Sequence, residues 1–306
     1  MDLSVIIVCY KGWDRLNKCL ESLETFTLKS FSMEVIVVDN NSGDGKINDF
    51  EAKFSRFLFI NAGINGGYAS GCNIGAASAS GDVFMILNPD TIVEEEATEK
   101  LLRHSIAHPE YYIISCRQTG ENGKERKSSG KFPGKLKRII KNGRPDASAS
   151  FPDWVSGSLM MIRKETFQKL KGFDESFWMY YEDVDICLRA RNEGGEIAFY
   201  NDIGIKHYHG GSSRVNLKTE SITKSEVQIS KHVYIQKHLS GFRRIAFHTM
   251  VIADNLVTGL ITGFSGLILF FIPKLFVRLL ILIRLSVYYF GSVYRRSWIS
   301  TRSLKS

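Results

Sequence analysis

Two carboxylates at the ends of apolar runs carry the first chemical signal. Asp39 closes MEVIVVD and is followed by Asn40, Asn41, Ser42 and Gly43, turn residues that have no place in a core. A carboxylate there can accept the imide N–H of a uracil or thymine ring, or it can cap its own turn. Asp90 closes VFMILNPD. Pro89 keeps the chain extended, so Asn88 and Asp90 point to one side, where an amide oxygen and a carboxylate can hold a hard divalent cation. A diphosphate bound to such a cation is a better leaving group. A plain polar turn after a strand would use the same residues. A third signal is FWMYYEDVD, residues 177–185, where aromatics run into Glu182, Asp183 and Asp185. Aromatic rings make a platform for the apolar face of a sugar, and a carboxylate beside them can take a proton from an incoming hydroxyl. An acidic helix start on a packed aromatic stretch would read alike. His207 and His209, in HYHGGSS, offer imidazoles at a glycine turn, although isolated histidines are more often structural.

These residues need a frame that gathers strand ends. Leu3 to Cys9 is a continuous, β-branched apolar run, the pattern of a strand buried on both faces of a parallel sheet. Asp14 can cap a helix running to about Thr25, with Leu16, Leu20 and Leu23 on one face. Residues 33–38, 57–60 and 83–87 read as three further strands, and the small residues of 69–79 as a helix between the last two. Polar residues at the C-terminal ends of such strands mark an open, mostly parallel α/β sheet with its ligand in the crevice beyond them. Gly66, Gly67 and Gly71 resemble a dinucleotide loop only loosely, since they follow the third strand and no G-x-G-x-x-G is present. Residues 117–150, with ten Lys/Arg against three Asp/Glu, read as a loop that is either a solvated insertion or a contact for an acidic substrate. Residues 154–162 read as another strand, 164–171 and 183–193 as helices, and 196–205 as a strand.

The 306 residues are 44% hydrophobic and 24% charged, which excludes disorder and low complexity. Five scattered cysteines without a C-x-x-C pair fit neither a disulfide framework nor a four-cysteine zinc site, and imply a reduced, cytosolic setting. The net charge of +8 sits wholly in residues 242–306, which carry nine Lys/Arg against Asp254 alone. Residues 1–241 are neutral, so no nucleic-acid partner is expected. Within the tail, residues 255–273 pass without a charge, close to the length of a bilayer span but interrupted by Gly259, Gly263, Gly266 and Pro273. Gly259 and Gly263 form a G-x-x-x-G that can bring two helices close. On a helical wheel Lys274, Arg278, Arg284, Arg295 and Arg296 fall within an arc of roughly 120°, a basic face suited to anionic lipid. The alternative is a helical hairpin packed on its own domain with that face solvated. Met1-Asp2 leads straight into an apolar strand, so no secretory signal is expected.

Taken in order, LSVIIVCYKG, IVVDNNSGDG, NAGINGGYASGCNIG, MILNPDT, WVSGSLMMIRKETF, GFDESFWMYYEDVDICLR and HYHGGSS resemble the inverting glycosyltransferases of family 2, above all the rhamnosyltransferases that build bacterial O antigen and related polysaccharides. The resemblance covers residues 1 to about 215. It implies a GT-A fold, with Cys9, Tyr10 and Asp39 around the nucleobase and Asn65, Gly66 and Asn73 near the ribose and diphosphate. Asp90 and Asn88 stand where the family's D-x-D holds Mg2+ or Mn2+; Asn in the first position removes one negative charge. His207 resembles an additional metal or diphosphate ligand, with His209 the second choice. Asp183 matches the general base, and the acceptor is expected against Trp154, Gly157, Trp178, Tyr180 and Glu182.

The expectation is therefore a GT-A transferase domain over residues 1–241, with a nucleotide-sugar half (1–115) and an acceptor half (116–241), and a helical tail over 242–306. It would move L-rhamnose from dTDP-rhamnose to a lipid-linked or polysaccharide acceptor at the cytoplasmic face of a bacterial inner membrane, on an anionic membrane surface. A UDP-hexose or UDP-N-acetylhexosamine donor, or a silent saccharide-binding partner in a polysaccharide assembly complex, are the alternatives. A nicotinamide-dependent oxidoreductase fits poorly without the glycine fingerprint.

Overall fold

The structure is a computed structural model and describes residues 1–27, 29–133, 148–208, 216–269 and 271–304. The chain packs as two compact units, Met1–Asp174 with Glu182–Ser212, and Glu175–Tyr181 with Ser213–Ser306.

The first unit opens with β1 (Leu3–Cys9), α1 (Trp13–Glu24), β2 (Met33–Asp39), α2 (Lys46–Lys53), β3 (Leu58–Asn61), α3 (Tyr68–Ser78) and β4 (Val83–Leu87). It continues through β5 (Thr91–Ile92), α4 (Glu95–Ala107), β6 (Tyr111–Thr119), and the short strands β7 (Glu125–Arg126), β8 (Ser129–Gly130), β9 (Ala149–Ser150) and β10 (Trp154–Val155). β11 (Leu159–Arg163), α5 (Lys164–Lys169), α6 (Glu182–Asn192) and β12 (Glu196–His207) complete it. The main sheet runs β3-β2-β1-β4-β11-β6-β12-β5. β3, β2, β1 and β4 are parallel, and β11 enters antiparallel to β4, which makes the sheet mixed but mostly parallel. Every residue of β1 and β4 is buried, as the unbroken apolar runs require of strands covered on both faces. α1 covers one face with Trp13, Leu16, Leu20 and Leu23. α3 lies on the other so closely that a Cβ at Gly71 would stand 2.6 Å from Val8. The glycines that superficially suggested a phosphate loop thus include one whose task is close helix-to-sheet packing.

Two expected elements change. The strand expected over 154–162 is two strands, β10 and β11, because Ser156-Gly157-Ser158 turns between them. The loop expected over 117–150 starts three residues late, since β6 reaches Thr119, and its described parts include three short strands; residues 134–147 lie outside the described residues. Runs of two residues carry too little periodicity to be read from sequence.

The second unit consists of Glu175–Tyr181 and the helices α7 (Leu217–His238), α8 (Gly241–Ile268) and α9 (Pro273–Arg295). α8 and α9 are each long and apolar enough to cross a membrane by length and composition. The charge-free stretch 255–273 is no single span, because it straddles the turn between them, and Pro273 opens α9 at the position where its fixed φ is suited to a helix start. Gly259 and Gly263 both face Leu282 of α9, so the G-x-x-x-G joins α8 to α9 within the chain. Arg284, in the expected basic face, turns inward, donating from Nε to Ser221 Oγ of α7 at 3.2 Å. The other four residues of that face, Lys274, Arg278, Arg295 and Arg296, are exposed. A second exposed stripe of α9 is apolar: Ile283, Val287, Phe290 and Tyr294 recur every three or four residues, Phe290 82% and Tyr294 91% exposed. The wheel ordered the side chains correctly but had no means of showing which side would meet α7.

Candidate active site

Three loops at the C-terminal ends of β1, β2 and β3 are bound into one rim. Asn40 donates its backbone N–H to Cys9 O and its side-chain amide to Asn65 Oδ1 (3.1 Å) and Gly67 O (3.0 Å). Lys11 N–H reaches Ser42 Oγ at 2.8 Å, and Lys11 Nζ lies 5.5 Å from the centre of the Tyr10 ring. Asp39, only 2% exposed, accepts from Ser42 N–H at 3.1 Å and from Ser42 Oγ–H at 2.5 Å. It caps its turn. Burial pushes the Cys9 thiol up to about 12, so its contribution is shape rather than thiolate chemistry. Gly66 sits in this rim between Asn65 and Gly67, whose φ of +90° opens α3. Asn73 is directed elsewhere: both ends of its amide bond the backbone of Phe173, at 2.9 Å each.

The second cluster is assembled by strand register. β12 pairs antiparallel with β5, setting His207 opposite Thr91, one residue after Asp90. His207 Nε2 lies 3.1 Å from Asp90 Oδ1, and His207 Nδ1 lies 2.9 Å from Gln118 Oε1 on β6. Gln118 Oε1 also accepts from Ser158 Oγ at 2.8 Å. With the amide oxygen assigned to that side, Nδ1 carries the imidazole proton and Nε2 turns its lone pair toward Asp90. A lone pair and a carboxylate oxygen at 3.1 Å require something positive between them, either a proton or a metal ion. The donor set fits a divalent cation: one carboxylate, one imidazole nitrogen, and an outer carbonyl fixing the ring's tautomer. Asn88 adjoins this pair and donates its backbone N–H to Ser158 O at 3.0 Å. No cluster of three or more metal-ligating side chains occurs among the described residues, so a cation here would need oxygens from its substrate.

Asp183 lies in the first turn of α6. Its Oδ2 accepts from Gly157 N–H at 3.1 Å and its Oδ1 from Val184 N–H at 2.8 Å. Burial pushes its carboxyl above the usual carboxylate range despite these two donors. Glu182 beside it is held well above that range by burial and then by the Asp183 charge. The two carboxyls titrate as a pair, and the two backbone N–H donors favour charge on Asp183 over Glu182. Asp185 is committed to Arg189 at 2.7 Å. Tyr68 donates its hydroxyl to Gly157 O at 2.8 Å, so the glycine is held from both sides. The Asp90 and Asp183 clusters converge on one dipeptide: Gly157 holds Asp183, and Ser158 bonds both Asn88 and Gln118.

The remaining expected residues are more dispersed. Trp154 Nε1 donates to Lys131 O at 3.0 Å, fastening β10 beside β8. Trp178 and Tyr180 belong to the second unit, where Arg302 lies over the Trp178 ring at 5.3 Å. Tyr180 and Tyr181 both adopt left-handed φ, +70° and +68°. Ser230 Oγ donates to Met179 O at 2.8 Å, and the Tyr181 and Tyr234 rings lie 5.7 Å apart, which hold this strained pair in place. His209 and the rest of its motif to Ser213 lie outside the described residues. Gln118, Ser158 and Tyr68 went unnoticed in the sequence. Two of them are polar residues at strand ends and one opens a helix, and no motif marks them.

Comparison with known proteins is consistent with this layout. Residues 4–189, more than half of the chain, match the family described as glycosyl transferase family 2. The low-salt glycan biosynthesis hexosyltransferase Agl10 of Haloferax volcanii is 30% identical over 63% of this chain, although the match spans only 62% of that relative's length. The rhamnosyltransferase WbbL of Escherichia coli is 25% identical over 67% of this chain and 82% of its own. The N-acetylglucosaminyl-diphospho-decaprenol L-rhamnosyltransferase of Mycobacterium tuberculosis is 23% identical over 69% and 77%. The crystal structure of S. aureus TarS 1–349 superposes with a TM-score of 0.54 at 17% identity, covering 87% of this chain and 74% of that one, and shares the GT-A fold. The chain belongs to glycosyltransferase family 2.

Proposed function

We propose that this glycosyltransferase moves L-rhamnose, with inversion, from dTDP-rhamnose to a lipid-linked or polysaccharide acceptor at the cytoplasmic face of a bacterial inner membrane, where it sits peripherally or shallowly inserted. The observation that supports it most is the convergence of the two carboxylate clusters on Gly157-Ser158. A donor lies across the rim with its base at Tyr10 and Asp39, its ribose and diphosphate toward Asn65, Gly66 and Asn88, and its phosphates at Asp90. Asp90 and His207 would hold Mg2+ or Mn2+, which neutralises charge on the departing diphosphate.

Asp183 accepts the proton of the acceptor hydroxyl while that oxygen bonds the anomeric carbon. The bond from that carbon to the diphosphate oxygen breaks, and its electron pair leaves with the diphosphate. One displacement inverts the centre. Gly157 N–H keeps the carboxylate oriented, Glu182 stays neutral beside it, and Trp154 borders the acceptor side. Two relatives named as rhamnosyltransferases, one acting on a diphospho-decaprenol saccharide, support the donor and the lipid-linked acceptor. The relative named as a hexosyltransferase favours a hexose donor as the second reading.

Purified protein incubated with a panel of nucleotide sugars tests this directly. Binding and slow hydrolysis are expected for dTDP-rhamnose, with the product anomer opposite to the donor's. Preference for a UDP-hexose would replace the donor, and retention at the anomeric centre would remove Asp183 from its role.

A further inference from the structure

The helical unit holds a second histidine-centred site, which sugar transfer does not use. Between the first turns of α8 and the end of α9 lies a cleft of about 580 Å3, bordered by Arg244, Ile245, His248, Val293, Arg296 and Trp298. A chain of hydrogen bonds leads to it. Asn255 donates its amide N–H to the Tyr289 hydroxyl at 2.8 Å, that hydroxyl lies 3.2 Å from His232 Nε2, and the Nδ1 atoms of His232 and His248 are 2.8 Å apart. Two imidazole nitrogens at that distance share one proton. Hydrogen-bond satisfaction assigns the rest. The Tyr289 oxygen accepts from Asn255, so its own proton goes to His232 Nε2. His232 then donates from Nδ1 to His248 Nδ1, and the neutral His248 ring keeps its proton on Nε2. Burial holds His232 down to about 3, in keeping with a neutral relay.

His248 is only 7% exposed, and its Nε2 has no hydrogen-bond partner among the described residues. A buried donor without an acceptor is a costly arrangement that a ligand would relieve. The Trp298 ring stacks on both imidazoles, with centroids 4.7 and 4.3 Å away, and fixes their planes. Arg244 and Arg296 border the same cleft, and among the described residues no carboxylate pairs with either. Arg296 ends α9 in the left-handed region, φ +53°, where glycine is the usual choice. Beyond the cleft runs the exposed apolar stripe of α9, with Val293 on its lip and Phe290 and Tyr294 alongside.

We infer that this cleft binds the phosphate of an anionic phospholipid, held by Arg244, Arg296 and the His248 Nε2–H, with the acyl chains lying along Val293, Phe290 and Tyr294. Two guanidiniums and a neutral N–H suit a phosphodiester, and the apolar lip distinguishes a lipid from a free anion. The inference rests on the tail's proposed place at the membrane surface.

Flotation of the full chain with vesicles tests it. The expectation is binding to phosphatidylcholine vesicles containing phosphatidylglycerol, and little binding to phosphatidylcholine alone. The double variant R244Q/R296Q should weaken that binding about a hundredfold, and the equal charge loss K274Q/R278Q at most about tenfold. Equal losses in the two doubles would overturn the site and leave only general surface attraction. If the wild-type chain ignores phosphatidylglycerol, both the site and the membrane placement fall, while sugar transfer to a short soluble acceptor remains an independent measure of the catalytic reading. Should R244Q/R296Q fold poorly, nitrogen NMR of histidines in the wild-type chain decides instead. A short-chain phosphatidylglycerol should shift His248 Nε2, and inorganic phosphate at the same concentration should not. No shift with the lipid, or equal shifts with both, overturns the inference.

Discussion

The two units each build a buried histidine into a hydrogen-bonded chain, and they do so to opposite electrostatic ends. His207 sits between an amide oxygen and a carboxylate, a setting that welcomes positive charge. His232 sits between a phenol and another imidazole, and burial holds it neutral. The first chain is assembled from four strands whose ends meet at the sheet rim, where charge can be matched to an anionic substrate. The second lies between helices, with an exposed apolar stripe on the neighbouring side of α9. Where charge is paired, a buried ionisable group can serve chemistry; where it is not, the fold favours the neutral form.

The largest effect that would break this contrast is in the first unit. Asp183→Asn should lower transfer by about a thousandfold or more while donor affinity, measured calorimetrically, stays within about twofold. Retention of most turnover would mean that the charge on Asp183 is not used. The second unit offers the reverse test. Burial raises Glu226 to about 7, against the favourable Ser300 hydroxyl and the Arg302 and Arg284 charges. A carboxyl whose folded pKa lies above its unfolded value binds its proton more tightly when folded. Its contribution is therefore fully present below the unfolded pKa near 4.5 and lost as pH rises to about 7. Glu226→Gln should then stabilise the protein at pH 8 relative to wild type, by on the order of 3 kcal/mol, and make little difference at pH 4. Denaturant melts at both pH values check it, and an unchanged difference would show that Glu226 is ionised and satisfied when folded. The smallest effect sharpens the first comparison. Gln118→Leu removes the carbonyl that orients His207 without touching Asp90, and should weaken Mn2+ affinity about tenfold while the melting temperature changes little. Unaltered Mn2+ binding would remove His207 from the metal.

Much of the rim was legible in the sequence because its residues announce themselves by position. Asp39 directly ends an apolar run and Asp90 follows one after two intervening residues, and a polar residue at such a strand end lies at the rim of the sheet. Asp183 follows an aromatic stretch and opens a helix. What joined these residues was not legible. Gln118 and Ser158 are ordinary polar residues, and only the pairing of β6 with β12, and the turn after β10, brings them to His207 and Asn88. The family resemblance also put Asn73 near the ribose and diphosphate, whereas Phe173, a hundred residues away, occupies its amide. In the tail, composition revealed the apolarity but not its direction. Arg284 counted as part of an outward basic face until α7 supplied Ser221 as a partner.

One consequence follows from the 117 residues that separate Asp90 from His207. Asp90 is encoded early in the chain, yet the pair is closed by a residue made almost at the end of the first unit. A nascent polypeptide that has folded only its first sheet half therefore displays the Asn40 rim without the Asp90–His207 pair. A ligand that needs both groups finds no complete site until β12 has docked beside β5, so its capture becomes a late event that rewards only a finished sheet.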